Sequence, residues 1–167
     1  MNTGSGPFQK ILIYVDGSEE CIAAAQMAIV MARQTGAALK ALYVVNVSLL
    51  KELTRAKIFV EIESMDYEQD LLQDGKRYLR YIREMAAAKR VSVDTELIKG
   101  VVNKEVVEGA GKFGADLLMM GELEEVRSRT DSYHDEAELI FRKVNCSVMV
   151  VKDSNRAEAL YQSLDQK

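Results

Sequence analysis

Residues 11–20 read ILIYVDGSEE, and the break in the middle of this stretch sets the pattern for the whole chain. The apolar, β-rich run from Ile11 to Val15 shows no polar alternation, so it is expected to form a strand buried on both faces. It stops at Asp16-Gly17. Ser18 then stands where a helix N-cap belongs, and Glu19 and Glu20 follow in the first turn, where carboxylates meet the positive end of the helix dipole. A buried strand therefore hands the chain through a two-residue turn to a helix.

Reading outward, the same alternation repeats. The helix runs to about Gln34, with Ala23, Met27, Val30 and Met31 on one face, widened by Ile22 and Ile29, and Thr35-Gly36 ends it. Residues 38–45 form a second strand. Residues 46–64 mix apolar and charged residues and read as a mobile, partly helical connection. A long helix covers about 65–89, with Leu72, Gly75, Leu79, Ile82 and Ala86 at helical spacing. Gly75 either weakens that helix or lets a neighbouring element approach closely. Residues 91–98 alternate, which fits a strand near a sheet edge. Asn103 is the expected N-cap of a short helix at 104–112. Residues 116–120 are the fourth strand, 132–143 a helix striped by Ala137, Ile140, Phe141 and Val144, and 147–152 the fifth strand. Residues 1–7 are read as a flexible lead, and 153–167 as a polar tail that is either a loose helix or disordered.

Strands that alternate with helices imply a parallel sheet, because parallel neighbours need crossover connections. The expected fold is α/β: a five-stranded parallel sheet with helices on both faces. In such sheets ligands bind beyond the carboxyl ends of the strands, where the winding reverses. Asp16, Val45, Gly100 and Gly121 lie at those ends.

Composition narrows the function. The chain has 167 residues and a formal net charge of -4, so it suits one domain and gives no electrostatic reason to expect nucleic acid. Neither of its two cysteines lies in a CxxC pair, and the lone His134 cannot complete a zinc site with them. Cys146 leads into an apolar run and is expected to be buried. Cys21, early in a helix, is the one with room for partial exposure. No run has the length and apolarity of a membrane span, and no signal-peptide pattern opens the chain. A cytoplasmic location is expected. No catalytic triad, carboxylate pair or metal cluster has persuasive spacing.

Three blocks carry a family resemblance: ILIYVDGSE near the start, GADLLMMG at residues 114–121, and CSVMVVK at 146–152. Their order and spacing resemble the universal stress proteins over residues 8–152. The resemblance implies an adenine-nucleotide α-hydrolase-like, Rossmann-like domain that is usually a homodimer through its last strand. Many members bind ATP. In them an aspartate after the first strand contacts the adenine side. The phosphates lie on a loop of the form G-x2-G-x9-G-[ST] after the fourth strand, where glycines let backbone N–H groups curl round phosphate oxygens.

Laid on this chain, the implied pattern matches in part. Asp16 matches the adenine-side aspartate, Val45 falls near the strand end that contacts the base, and Gly121 holds the first loop glycine. Glu124 then stands at the second glycine, His134 at the third, and Asp135 at the Ser or Thr. Side chains at Glu124 and His134 obstruct backbone approach. Asp135 puts a negative charge at the helix start, and two unit charges about 4 Å apart repel by roughly 4 kcal/mol at an effective dielectric near 20.

Each of these residues also has a plainer role. Asp16 either positions an adenine or ribose or stabilises the turn before the helix. His134 is either a surface histidine at a helix start or a pH-sensing or ligand-binding group. Arg127 and Arg129 either bind an anion or pair with neighbouring acids. The sequence thus points to a non-enzymatic, stress-response regulatory domain that does not bind ATP, needs no cofactor, and acts as a homodimer with an unidentified protein partner or small ligand. The alternative is an adenine nucleotide or nucleoside (AMP/ATP) binding module. No nucleic acid or membrane partner is expected.

Overall fold

Lys10–Val15 forms strand β1, and five of its six residues are buried, as a strand without alternation requires. A computed structural model of the chain describes residues 6–57, 61–122 and 132–165. After β1 come α1 (Glu19–Thr35), β2 (Ala38–Asn46), α2 (Val47–Arg55), α3 (Glu61–Ala88) and β3 (Val93–Gly100). Then follow α4 (Val102–Phe113), β4 (Leu117–Gly121), α5 (Ser132–Lys143), β5 (Ser147–Val151) and α6 (Ser154–Ser163).

The five strands form one sheet in the order β3-β2-β1-β4-β5, and every adjacent pair is parallel. The chain winds from β1 outward to β3, then returns to the other side of β1 and ends at β5. The winding therefore reverses between β1 and β4. Strand side chains alternate between two cores. Ile11, Ile13, Val15, Ala41, Tyr43 and Met119 pack under α1 and α3. Leu12, Tyr14, Leu42, Val44, Leu118 and Met120 pack against α4 and α5. Ile11, Leu12 and Ile13 are fully buried, and each such side chain contributes roughly 2 kcal/mol through the area removed from water.

The start of α1 follows the sequence reading. Ser18 Oγ accepts a hydrogen bond from the Cys21 N–H at 3.2 Å, and Gly36 closes the far end with φ of 76°. Cys21, Ala23, Ala24, Ala25, Ala28, Ile29, Val30 and Ala32 are all buried, so α1 is covered nearly all round. Its outer cover is α6. Ala157 and Tyr161 of α6 are buried in the same core as α1, with Leu160 and Leu164 packed beside them. The Tyr161 hydroxyl donates to the Met85 carbonyl at 2.8 Å, and its ring lies 4.5 Å from Lys89 Nζ. Lys89 also pairs with Asp165. The polar tail is thus a helix capped by Asp153, which accepts from the Arg156 N–H at 2.9 Å.

Several local expectations change. The connection at 46–64 contains α2 and the first residues of α3, with Leu50 of α2 buried. Asn103 lies inside α4, whose N-cap is Val101 with no side-chain bond. Phe141 faces solvent instead of completing the α5 stripe. The cysteines are reversed: Cys21 is buried and Cys146 only half-buried. Gly75 resolves to close approach, because a Cβ there would stand 2.6 Å from Cδ1 of Tyr43.

Candidate functional site at the carboxyl ends of the strands

The turn after β1 is built by Asp16 itself. Its Oδ1 accepts from the Ser18 N–H at 2.9 Å and from the Ser18 hydroxyl at 2.5 Å. Gly17 supplies the φ of 82° that this bend requires. Ser18 in turn caps α1, and the Cys21 thiol donates to the Ser18 carbonyl at 3.0 Å. Asp16, Ser18 and Cys21 are therefore one hydrogen-bonded unit that fixes where the strand ends and the helix begins. The turn-stabilising role of Asp16 is present in the structure, and its carboxylate remains half-buried at the strand end.

The β1–β2 ladder stops at the pair Val15–Tyr43, whereas β2 continues to Asn46. Val45 thus projects two residues beyond the end of β1. The whole of Val45 is buried. On the other side of β1, the ladder with β4 places Met119 opposite Ile13, and Gly121 ends β4 at the level of Val15. Asp16, Val45 and Gly121 consequently lie at the carboxyl ends of three adjacent strands, where β2 steps beyond β1 and β4. The step follows from unequal strand lengths.

Gly121 has a packing reason of its own. A Cβ there would collide with the Glu20 carbonyl and stand 2.7 Å from the Cys21 nitrogen. The first turn of α1 lies directly on the end of β4, and only glycine leaves room for it.

Two tyrosines lie beside the turn, Tyr43 of β2 and Tyr78 of α3. A Cβ on Gly17 would lie 3.6 Å from the Tyr78 ring and 3.7 Å from the Tyr43 hydroxyl. Burial, then the carboxylates of Asp74 and Asp16, push the Tyr43 phenol up to about 12. Burial also raises Tyr78. Cys21 is pushed to about 12, first by burial and then by Asp16, so its thiol is not primed as a nucleophile.

The loop residues have a different status. Glu124 lies outside the described residues, as do Arg127 and Arg129. His134 and Asp135 fall in the first turn of α5. The next residue, Glu136, has a role that sequence reading missed. Its Oε2 accepts from both the backbone N–H and the side-chain amide of Asn103, each at 2.9 Å. A carboxylate of α5 thereby satisfies an orphan N–H in the first turn of α4. Asn103 is buried and is held by this tertiary partner instead of capping its own helix. The alternation around Glu136 carried no signal for that pairing. Among the described residues, no group of three His, Cys, Asp or Glu side chains could hold a metal ion. No described helix is long and apolar enough to cross a membrane.

A parallel five-stranded sheet in this order, with helices on both faces, defines a Rossmann-like α/β domain. The chain belongs to the Universal stress protein family, whose sequence model matches residues 7–152. It is 32% identical over 152 residues to a universal stress protein of Methanocaldococcus jannaschii, covering 91% of this chain and 86% of that protein. Among solved structures it resembles universal stress protein UspA from Lactobacillus plantarum. There the TM-score is 0.70 at 20% identity, covering 89% of this chain and 100% of the other. A family protein from Arabidopsis thaliana, solved with AMP bound, gives a TM-score of 0.60 at 14% identity over 86% of this chain and 91% of its own.

Proposed function

We propose that this chain is a non-enzymatic regulatory domain of the stress response that does not bind ATP. The observation that carries the reading is the occupancy of the phosphate-loop positions. Glu124, His134 and Asp135 stand where the family pattern has two glycines and a Ser or Thr. Two of the three are acids. A triphosphate at that loop would meet carboxylates instead of backbone N–H groups. Titration calorimetry with Mg-ATP is expected to show no binding, and micromolar affinity would overturn the proposal.

The domain acts as a homodimer through β5, which is an edge strand with Val150 exposed. Phe141 of α5, the helix leading into β5, is exposed as well. Light scattering is expected to return twice the chain mass, and a monomer at working concentration counts against the interface. We place the protein in the cytoplasm, which fits two free cysteines with no disulfide between them. Its partner is an unidentified protein or small ligand.

A second reading has its own support, the AMP bound by the Arabidopsis relative. Asp16, Val45 and Gly121 match the family pattern at their positions, and a monophosphate or nucleoside meets fewer acids than ATP does. In this reading the domain is an adenine nucleotide or nucleoside module. AMP would raise the melting temperature of the wild type, and Asp16→Ala would abolish the shift. An unchanged shift in the variant removes Asp16 from the site.

A further inference from the structure

The opposite end of the sheet carries a second opening. A groove of about 600 Å³ lies below the amino ends of β2 and β3, between the α1–β2 turn and the α3–β3 turn. Ala37, Leu39, Val93 and Phe113 give it apolar walls, and Arg33 and Arg90 line it with Asp94. We propose that this groove binds a small organic anion, with a carboxylate or phosphate on the two guanidiniums and an apolar body against Phe113 and Leu39.

Three observations support it. The volume falls in the range of small-ligand sites, where apolar walls are combined with a few polar groups. The other basic side chains near this end are engaged. Lys40 pairs with Glu96 at 2.5 Å, Lys10 donates to the Phe113 carbonyl at 3.3 Å, and Lys89 pairs with Asp165. Arg33 and Arg90 have no ion-pair partner among the described residues, and a guanidinium presents a planar fork that matches carboxylate and phosphate oxygens.

The third observation is the backbone of Arg90. Helices α1 and α4 end in glycines, Gly36 and Gly114, with positive φ. The chain after α3 makes the same left-handed turn at Arg90, with φ of 58° and the Val91 N–H donating to the Ala86 carbonyl at 2.9 Å. Among the described non-glycine residues only Lys57 shares this conformation. A side chain with a Cβ is unfavourable there, and Arg90 is the one that lines the groove. Arg33 has a second reason to stand where it does, since it sits in the last turn of α1, where the helix carbonyls favour a cation. Asp94 is the opposing charge in the wall, and it favours a ligand that also carries a hydrogen-bond donor.

The test uses phenyl phosphate, phenylacetate and inorganic phosphate as probes, followed by amide chemical shifts on the full chain at constant ionic strength. Phenyl phosphate or phenylacetate is expected to shift the amides of 32–39 and 90–94 saturably, and the stronger of the two identifies the anionic group. Arg90→Gly relieves the strained turn, so its melting temperature should hold or rise while affinity falls at least about tenfold, the loss expected for a charge-assisted contact. Arg33→Gln should also weaken binding, and Arg156→Gln, on the exposed start of α6, should not. The proposal is overturned by absence of a saturable shift, by binding that survives both arginine substitutions, or by inorganic phosphate binding as well as the aromatic probes.

Discussion

The two ends of the sheet are held together by different means. At the carboxyl end the fixed points are backbone contacts and short side chains. Gly121 sits against the Glu20 backbone, Asp16 bonds Ser18, and Ser18 bonds Cys21. At the amino end the Asp116 carboxylate accepts from the Gln9 and Lys10 N–H groups, and long side chains add links that reach across the sequence. Lys89 spans to Tyr161 and Asp165, and Tyr161 to Met85, 76 residues away in each hydrogen bond. Backbone-to-backbone packing tolerates almost no change of volume, whereas a flexible cation can re-aim. The carboxyl end should therefore be the brittle one, and substitutions at the two ends measure that difference.

The largest effect is expected at Gly121→Ala. The new methyl meets main chain on α1, which cannot step aside without breaking the Ser18 cap, and overpacking of this kind costs about 3 kcal/mol. Urea unfolding should show the loss with an unchanged slope. A cost below about 1 kcal/mol would mean that α1 and β4 slide freely. Next comes Glu136→Ala. It strands two donors of Asn103 in a buried position and should cost about 2 kcal/mol, with Glu136→Gln recovering much of it. If both variants match the wild type, water replaces the carboxylate and the α4–α5 link is not structural.

The contrast also explains what could be read in advance. The strands and the α1 boundaries were legible because their signals are local: an unbroken apolar run, a serine cap, a glycine stop. The edge position of β3 was legible from its alternation. Chain order put Asp16, Val45, Gly100 and Gly121 at the carboxyl ends of the strands, and the family resemblance singled out Asp16, Val45 and Gly121 among them. What could not be read is tertiary. Asn103 looks like a cap, yet Glu136 draws it inward, 33 residues further on. Residues 153–165 look merely polar, yet Ala157 and Tyr161, with Leu160 and Leu164 beside them, dock a helix. In retrospect α1 held the clue. It is apolar on more than one face, and a helix of that kind needs a second cover. The cysteines were exchanged for a tertiary reason too, because the end of β4 at Gly121 packs on the start of α1, whereas Cys146 precedes β5 at the sheet edge.

A third effect appears only in alkali and tests the burial of the carboxyl end. Cys21 rises from 9.0 to about 12 and Tyr43 from 10.0 to about 12 on folding. Both groups are neutral when protonated, so the unfolded chain releases their protons first. The stability they lend is complete below pH 9 and is lost as pH rises towards 12. The fall should be about 1 kcal/mol per pH unit once the unfolded thiol ionises. Urea melts at pH 8.5, 9.5 and 10.5 should show a shallower decline for Cys21→Ala. Equal slopes would mean that the thiol ionises as easily in the native protein as in the unfolded chain.

The smallest effect belongs to the amino end. The Asp165 carboxylate is 64% exposed although Lys89 beneath it is only 4% exposed, so the pair has one foot in water. Asp165→Asn keeps an oxygen acceptor for Lys89 and leaves the Tyr161 ring in place. The expected cost is about 0.5 kcal/mol, as for exposed ion pairs. It should vanish at high salt, because screening acts on the carboxylate that solvent reaches. The ring contact and the Tyr161 hydrogen bond are far less accessible to ions and should persist, so Tyr161→Phe should cost about 1 kcal/mol at any salt concentration. A loss above about 3 kcal/mol for Asp165→Asn would reverse the comparison. Lys89 would then behave as a buried charge dependent on one partner, and the amino end would be as brittle as the carboxyl end.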